Sequence, residues 1–342
     1  MATAEVSLDG YKTLFDPGTC TKKGLCPVSK TQKGTTFDTY SLYYEIHGTG
    51  TEKLVFIMGL NSTSFGWDRQ VRHFSHNRAY QVLVFDNRGV GNSDSPWGPY
   101  TTSGMAEDVI TLLNHVGWTL ERQLHIVGIS LGGMITLELA TRIPNRIASA
   151  SLIATSAGGS VFSNLPHGKG LQPSRGKPSP LTLTLVASPK EKIPLVMDML
   201  YPKAYLESPV PNDPKRRTYW DVQVESVLDR LEVTRPQTLV GAISQMSAGL
   251  THHVNADRIS AIARSIPRIL ILTGDWDNLV DPRNSKWMRD CMMDASNGVE
   301  YLVWEGVGHA IPLQEPDRFN EVLDRTITES LIMLRRGTPR RV

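Results

Sequence analysis

The sequence predicts an α/β fold in which a mostly parallel sheet is flanked by helices. Two observations support this fold class. Short apolar segments of strand length alternate with amphipathic segments of helical length, and a glycine-rich turn joins one such pair directly. Continuous apolar strands are typical of a parallel sheet that is buried on both faces. With 342 residues, of which 40% are hydrophobic, the chain is long enough to bury a full core.

Strands and helices are predicted from the periodicity of the apolar residues. Strands are expected at residues 39–46, 53–58, 80–85, 124–128, 148–154, 268–273 and 299–304. Helical spacing appears at residues 67–75, about 102–116 and about 316–334. This order of elements is the basis for placing the polar residues discussed below at one edge of the sheet, because ligands of such sheets bind beyond the carboxyl ends of the strands.

The domain organisation is predicted from breaks in this alternation. Residues 1–35 are polar and contain several glycines and prolines, so we expect an irregular N-terminal extension. Residues 36–156 and 267–336 are expected to form the α/β core. Residues 157–266 carry a Pro/Ser-rich stretch and helical segments near 193–200, 220–231 and 239–248, which predicts a mainly helical cap. An additional domain unconnected with the site is the alternative for this interval.

The net charge, the cysteine content and the hydropathy of the chain indicate which binding partners and which cellular compartment to expect. The net charge of +2 gives no reason to expect nucleic acid or an anionic membrane as a partner. Cys20, Cys26 and Cys291 are too few for a disulfide framework and favour a reducing compartment, with a Cys20–Cys26 pair as the alternative. Since neither a long apolar run nor a secretory leader is present, we expect a cytoplasmic protein without an integral membrane segment.

A turn between a predicted strand and a predicted helix places Ser130 at its apex. The turn reads Gly128-Ile129-Ser130-Leu131-Gly132. Glycines are needed there because a Cβ would strike the neighbouring backbone in so tight a turn. The free N–H groups at the start of the helix favour negative charge beside the serine. Ser130 is therefore a candidate nucleophile for acyl transfer, and a solvated serine in a glycine-rich turn is the alternative.

A serine nucleophile needs a histidine base, and His309 is the best candidate among nine histidines. It follows the last predicted strand in the glycine-flanked segment Gly306-Val307-Gly308-His309. His252 and His253, at the end of the predicted cap, could face the pocket, but we expect them at the surface.

The carboxylate that orients the base is expected in the loop after the strand at 268–273. Asp277 is the preferred candidate because it lies three residues beyond Gly274 and can turn back toward the imidazole. Asp275 competes with it. Asp281, which precedes Pro282, is predicted to cap a helix instead.

The oxyanion formed during hydrolysis needs preorganised donors. We expect these to be the backbone N–H groups of Leu131 and of Leu60, which follows Gly59 in the loop after the strand at 53–58. Asn61 and Ile129 are the expected substrate-binding residues. No metal-ligand spacing and no phosphate-binding loop appears, so the sequence predicts neither a metal nor a cofactor.

Four motifs together resemble the α/β-hydrolase superfamily, and in particular its capped serine esterases. They are the Ser130 turn, the run Phe85-Asp86-Asn87-Arg88-Gly89-Val90-Gly91-Asn92-Ser93-Asp94, Gly274-Asp275-Trp276-Asp277 and Gly308-His309. The resemblance implies a triad in the chain order Ser130, Asp277, His309, with the cap inserted after the sixth strand. It also implies a structural role for Asp86 and Arg88.

One departure from the family pattern concerns the oxyanion loop. Many members have His-Gly there, whereas this chain has Met58-Gly59. Because the donor is a backbone amide, the change leaves the oxyanion hole possible. The finer resemblance is to methylesterase-like members such as the anthracycline methylesterases.

The predicted function is hydrolysis of a carboxylic ester of a small, largely apolar molecule through an acyl-enzyme. The same triad could instead serve an acyltransferase or a hydrolase of thioesters, amides or carbon–carbon bonds. A hypothesis of a different class is a non-catalytic receptor for a small molecule on the same fold.

Overall fold

The computed structural model describes residues 10–32, 35–159, 189–295 and 298–336, and within them eight strands form one sheet. The strand order is β1-β2-β4-β3-β5-β6-β7-β8. The strands are β1 (Cys20–Gln32), β2 (Thr35–His47), β3 (Glu52–Ile57), β4 (Tyr80–Phe85), β5 (Leu124–Ile129), β6 (Ile147–Ile153), β7 (Arg268–Gly274) and β8 (Val299–Trp304).

The sheet is parallel from β4 to β8 and antiparallel only at the β1–β2 and β2–β4 pairings. Every residue of β5, β6 and β7 is buried, which agrees with their continuous apolar sequences. The carboxyl ends of the parallel strands therefore share one edge. The loops after β3, β5, β7 and β8, which carry the predicted site residues, begin at that edge.

Helices cover both faces of the sheet. They are α1 (Asp68–Ser75), α2 (Thr102–His115), α3 (Leu131–Arg142), α4 (Pro189–Leu200), α5 (Lys203–Glu207), α6 (Tyr219–Val233), α7 (Leu239–Leu250), α8 (Ala256–Ser265), α9 (Pro282–Met293), α10 (Ile311–Gln314) and α11 (Pro316–Arg335). Short 3-10 helices occupy Ser64–Trp67 and Pro144–Arg146. One apolar cluster joins the sheet to α2, α3, α8 and α9, and a second joins it to α1 and α11.

The expectation of an irregular segment over residues 1–35 is wrong for Cys20–Gln32, which forms the edge strand β1. Cys26 and Val28 of this strand are buried in the core. The strand was missed because lysines, Gly24 and Pro27 obscure the period-two alternation. Proline is tolerated in an edge strand, where one side of the backbone needs no partner.

The predicted helical region between β6 and β7 is confirmed, and it contains α4 to α8. Its first helices pack in an apolar cluster around Ile193, Met197 and Tyr201, which also contains Ala310 beside His309. Helix α8 differs, because Ile259 and Ile262 pack into the core of the sheet. We call α4 to α7 the helical insertion. The Pro/Ser-rich stretch at 166–180 lies outside the described residues, and the cap boundaries at 157 and 266 stay predictions.

A buried ion pair joins the loop after β4 to α2. The guanidinium of Arg88 donates to both carboxylate oxygens of Asp108, and the hydroxyl of Tyr40 donates to Asp108 Oδ1 at 2.6 Å. Both side chains of the ion pair are about 95% buried. Breaking such a pair leaves a charge without its partner in a poorly solvated position.

We expect Asp108→Ala to lower the free energy of unfolding by about 3–5 kcal/mol, because the buried guanidinium loses its counter-charge. Urea unfolding followed by circular dichroism measures the change. The neighbouring Glu107→Ala is the matched control, since Glu107 is 62% exposed where it pairs with Arg142. It should cost no more than about 1 kcal/mol. Equal losses in the two variants would contradict the assigned role of the buried pair.

Candidate active site

Ser130 occupies a strained turn between β5 and α3, as the sequence predicted. Its φ of +55° and ψ of −121° lie in a region that residues with a side chain rarely adopt. Two contacts from β6 and the residues after it hold the turn. The Ser130 N–H donates to Ile153 O at 2.9 Å, and Thr155 Oγ1 donates to Ser130 O at 2.7 Å. The backbone is thus fixed while the serine side chain points away from it.

The flanking glycines allow three backbones to meet at this turn. A Cβ on Gly128 would lie 2.3 Å from Gly132 O, and a Cβ on Gly132 would lie 2.1 Å from Ile57 O. A Cβ on Gly133 would lie 2.5 Å from Thr155 Cβ. Each distance is below van der Waals contact, so these positions accept only glycine in this conformation.

His309 and Asp277 form a buried hydrogen-bonded pair. The imidazole Nδ1 lies 2.8 Å from Asp277 Oδ2 and 3.0 Å from Oδ1. Oδ1 also accepts the backbone N–H groups of Leu279 and Val280, each at 2.9 Å. These donors stabilise the ionised carboxylate, which in turn keeps the proton on Nδ1. Nε2 is then the imidazole nitrogen that can accept a proton.

The two loops that carry this pair are packed against each other. A Cβ on Gly274 would lie 2.1 Å from Val307 O, and the Trp276 N–H donates to the same oxygen at 3.0 Å. Gln314 braces the histidine loop, accepting from the Gly308 N–H and donating to Gly306 O, both at 2.9 Å. Sequence reasoning missed Gln314, because a glutamine in a short helix carries no recognisable signal.

The competing aspartates have other positions. Asp275 is exposed, and its backbone N–H donates to Trp304 O at 3.1 Å. Asp281 is the N-cap of α9, where its side chain accepts from the Arg283 N–H at 2.9 Å and Pro282 follows. The prediction of a cap at Asp281 is confirmed.

The loop after β3 lies against the serine turn. A Cβ on Gly59 would be 3.1 Å from Ser130 Cβ. Among the described residues, neither the Leu60 N–H nor the Leu131 N–H donates a hydrogen bond to another group of the protein. Two free N–H groups beside a serine can stabilise negative charge on a bound carbonyl oxygen.

The helical insertion is joined to this loop by two glutamines that sequence reasoning missed. Gln245 of α7 accepts from the Asn61 N–H at 2.8 Å and donates to Arg88 O at 2.7 Å. Gln237 donates to Asn61 Oδ1 at 2.9 Å and to Gly89 O at 3.0 Å. Helix α7 therefore crosses the loops that follow β3 and β4.

The predicted substrate contacts are already engaged within the protein. The side-chain oxygen of Asn61 accepts from Gln237. Ile129 is 6% exposed and belongs to the apolar cluster beneath α1 and α11. A contact of either residue with a substrate stays a prediction.

Asp86 has the structural role that was expected of it. The carboxylate is buried and accepts the backbone N–H groups of Ser64 at 2.7 Å and Asn92 at 2.8 Å. Arg88 is taken up by the ion pair with Asp108. The turn after β4 thus positions the neighbouring loops and offers no reactive group.

His252 contradicts the expectation of a surface position, whereas His253 is exposed as predicted. The His252 side chain is buried, and its Nδ1 lies 2.8 Å from Thr102 Oγ1. Burial lowers the pKa of His252 to about 4. Sequence reasoning erred because residues 251–254 lie against the backbone at Ala157 and Gly159, with which they form hydrogen bonds.

The structure brings the predicted residues together in two groups. His309 contacts Asp277, and Ser130 contacts the loop that carries Leu60. Between the residues the structure describes at this edge, no hydrogen bond joins the Ser130 hydroxyl to the His309 imidazole. Such bonds are often long before substrate is bound and tighten in the complex, so their absence does not exclude a candidate.

The sheet order and the strained serine turn after β5 define a protein of the α/β class, with the candidate site at the carboxyl edge of its sheet. Residues 46–322 match the profile of the family described as "Alpha/beta hydrolase family". The chain therefore belongs to this family. No helix in the described part of the chain is long and apolar enough to cross a bilayer.

Curated relatives match a part of the chain. It is 33% identical over 112 residues to the putative carbamate hydrolase RutD of Azorhizobium caulinodans, covering 33% of this chain and 40% of that protein. It is 34% identical over 104 residues to 3-oxoadipate enol-lactonase 2 of Acinetobacter baylyi, covering 30% and 37%. The chain thus spans about two fifths of the length of these relatives.

Solved structures confirm the fold over most of the chain. An esterase from Thermogutta terrifontis superposes with a TM-score of 0.66 at 20% identity, covering 91% of this chain and 99% of that one. The enol-lactonase from Burkholderia xenovorans gives a TM-score of 0.65 at 20% identity, covering 84% and 97%.

We expect His252 to make the folded protein sensitive to acid. Its pKa is near 4 when folded and near 6.5 when unfolded, so the unfolded state binds more protons as the pH falls below 6.5. Stability should fall by about 2 kcal/mol between pH 7.5 and pH 5 through this residue.

Urea unfolding of the wild type and of His252→Gln at both pH values measures that contribution. The variant should lose less stability on acidification than the wild type. An equal loss in both proteins would show that His252 is not buried in its neutral form.

Proposed function

We propose that the chain is a serine hydrolase that cleaves a carboxylic ester of a small, largely apolar molecule through an acyl-enzyme. The observation that carries the proposal is the buried His309–Asp277 pair, which leaves one imidazole nitrogen as a base. The His309–Asp277 pair lies at the same edge of the sheet as the strained Ser130. A base of this kind is what a serine hydroxyl needs in order to react as a nucleophile.

In the proposed reaction, Ser130 Oγ attacks the ester carbonyl carbon and passes its proton to His309 Nε2. Asp277 stabilises the imidazolium that forms. The N–H groups of Leu60 and Leu131 bind the carbonyl oxygen as it becomes negative. His309 then gives its proton to the leaving alcohol, and the acyl group remains on Ser130. Water, deprotonated by His309, attacks this acyl-enzyme and restores the free serine.

The relatives support chemistry at a carbonyl carbon. Their names include a carbamate hydrolase, an enol-lactonase and an esterase, all of which suggest cleavage of an ester or a related acyl bond. Two exposed apolar side chains, Leu60 and Trp276, follow β3 and β7 and favour a largely apolar substrate. Asn61 and Ile129 are the further contacts we propose for it. The three cysteines are free, which suits a cytoplasmic enzyme.

We expect Ser130→Ala to abolish hydrolysis of p-nitrophenyl esters and Asp277→Asn to lower kcat by about 10⁴-fold. The asparagine would favour the wrong imidazole tautomer while the fold is retained. Steady-state rates with esters of increasing chain length measure both effects. The matched control is Asp275→Asn, because this exposed neighbour in the same loop should leave the rate unchanged.

Equal rates for the wild type and Ser130→Ala would remove the catalytic assignment. Product formed from an added alcohol in preference to water would indicate an acyltransferase. Cleavage of thioesters, amides or carbon–carbon bonds without hydrolysis of esters would show that the enzyme acts on those bonds instead. Binding of small molecules without any turnover would favour the alternative hypothesis of a non-catalytic receptor.

Gln245 is expected to act as a positioning residue for the oxyanion loop. Replacing it with leucine removes the acceptor of the Asn61 N–H, one residue beyond Leu60. The Leu60 N–H should then be held less firmly, so kcat should fall by roughly 10-fold with little change in KM, since the loss is confined to the transition state.

Gln237→Ala is the control for this variant, because Gln237 contacts only the side chain of Asn61 in that loop. It should have a smaller effect on kcat. A change confined to KM in Gln245→Leu would show that Gln245 serves substrate binding instead.

A further inference from the structure

A cluster of Cys20, Glu45 and His47 lies on the β1–β2 pair, away from the proposed active site. Cys20 and His47 are directly paired in the antiparallel register. Glu45 lies two residues before His47 and so points to the same face of the sheet. His47 pairs on its other side with Val82, near the start of β4, whereas Ser130 follows the carboxyl end of β5.

The three side chains bring their ligand atoms close together. Glu45 Oε2 lies 3.4 Å from His47 Nε2 and 4.0 Å from Cys20 Sγ, and all three atoms are within 4.8 Å of one another. A tetrahedral zinc ion with ordinary metal–ligand distances separates its ligands by roughly 3–4 Å. The separations of 3.4 and 4.0 Å thus match those of a zinc site, and the third is at most 4.8 Å.

His47 Nε2 is the atom that points to a missing ligand. The side chains of His47 and Glu45 are fully buried, and Nε2 forms no hydrogen bond. The other ring nitrogen, Nδ1, has a partner, because it lies 2.9 Å from the Thr19 hydroxyl. Nε2 faces the Glu45 carboxylate, with Oε2 3.4 Å away.

The Glu45 carboxylate is already held in place for a cation. Tyr43 donates its hydroxyl to Oε1 at 2.5 Å, and Thr13 donates to Oε2 at 3.2 Å. Neither donor neutralises the charge. A buried carboxylate beside a buried ring nitrogen that forms no hydrogen bond is a place where a positive ion would be stabilised. Cys20 is partly exposed, which leaves a route from solvent to the cluster.

We propose that Cys20, Glu45 and His47 bind a zinc ion through Sγ, Oε2 and Nε2, with water in the fourth position. A thiolate, an imidazole and a carboxylate are the donors that zinc takes in proteins. The hydrogen bond between Nδ1 and the Thr19 hydroxyl fixes the ring orientation, and a ligating histidine usually has such a partner on its other ring nitrogen. The ion fastens β1 to β2. The sequence showed no metal-ligand spacing because the ligands come from two strands 25 residues apart.

The test is a titration of the EDTA-treated, dialysed full-length protein with Co²⁺ and with Zn²⁺ in the presence of a non-thiol reductant. We expect one ion per chain. With cobalt, a sulfur-to-metal charge-transfer band should appear in the near ultraviolet together with visible bands of a tetrahedral site, and zinc should displace them. Zinc should also raise the melting temperature, since it binds only the folded chain.

Cys20→Ser should lose the charge-transfer band, and His47→Gln should weaken the affinity at least about 100-fold. Cys291→Ser is the matched control, because this partly exposed cysteine lies outside the cluster and should leave the titration unchanged. Circular dichroism confirms that each variant is folded. A folded wild type that binds no cobalt, as a simple imidazolium–carboxylate pair would, overturns the proposal. A charge-transfer band of full strength in Cys20→Ser also overturns it.

Discussion

The close approach of three backbones beneath Ser130 is the constraint on which the rest of the site depends. The carbonyl of Ile57 occupies the space where a Cβ of Gly132 would be, and the turn is tied to β6 through Ile153. Elements β3, β5 and α3 meet there without side chains between them. The position of the Ser130 backbone relative to the sheet is therefore fixed. The strain in its backbone is maintained by the packing of the surrounding core.

The same kind of contact positions the other two residues of the proposed triad. Gly274 lies against the carbonyl of Val307, so the loops after β7 and β8 are adjacent in a way that brings Asp277 to His309. The helical insertion also holds the loop after β3, because Gln245 accepts a hydrogen bond from the Asn61 N–H. The residues of the proposed triad lie on separate loops, and each loop is held by contacts with another part of the chain.

Sequence patterns predicted most of the parallel sheet, because apolar residues predominate in its strands and the turns that follow several of them contain glycines. They also led to the three residues of the proposed triad, since each follows a strand, and this assignment stays a prediction. The edge strand β1 was missed because its exposed face is polar. His252, Gln245 and Gln314 could not be assigned, because their surroundings depend on contacts with residues distant in sequence. The cluster around His47 depends on strand register, which the sequence alone does not give.

The most direct test of the account is whether His309 activates Ser130 for attack. A fluorophosphonate probe reacts with an activated serine, and mass spectrometry of the digested protein locates the adduct. We predict one adduct, on Ser130, with its rate of formation reduced at least about 10³-fold in a folded His309→Gln variant. Labelling of Ser130 at the same rate in both proteins, or an adduct on another residue, would contradict the account.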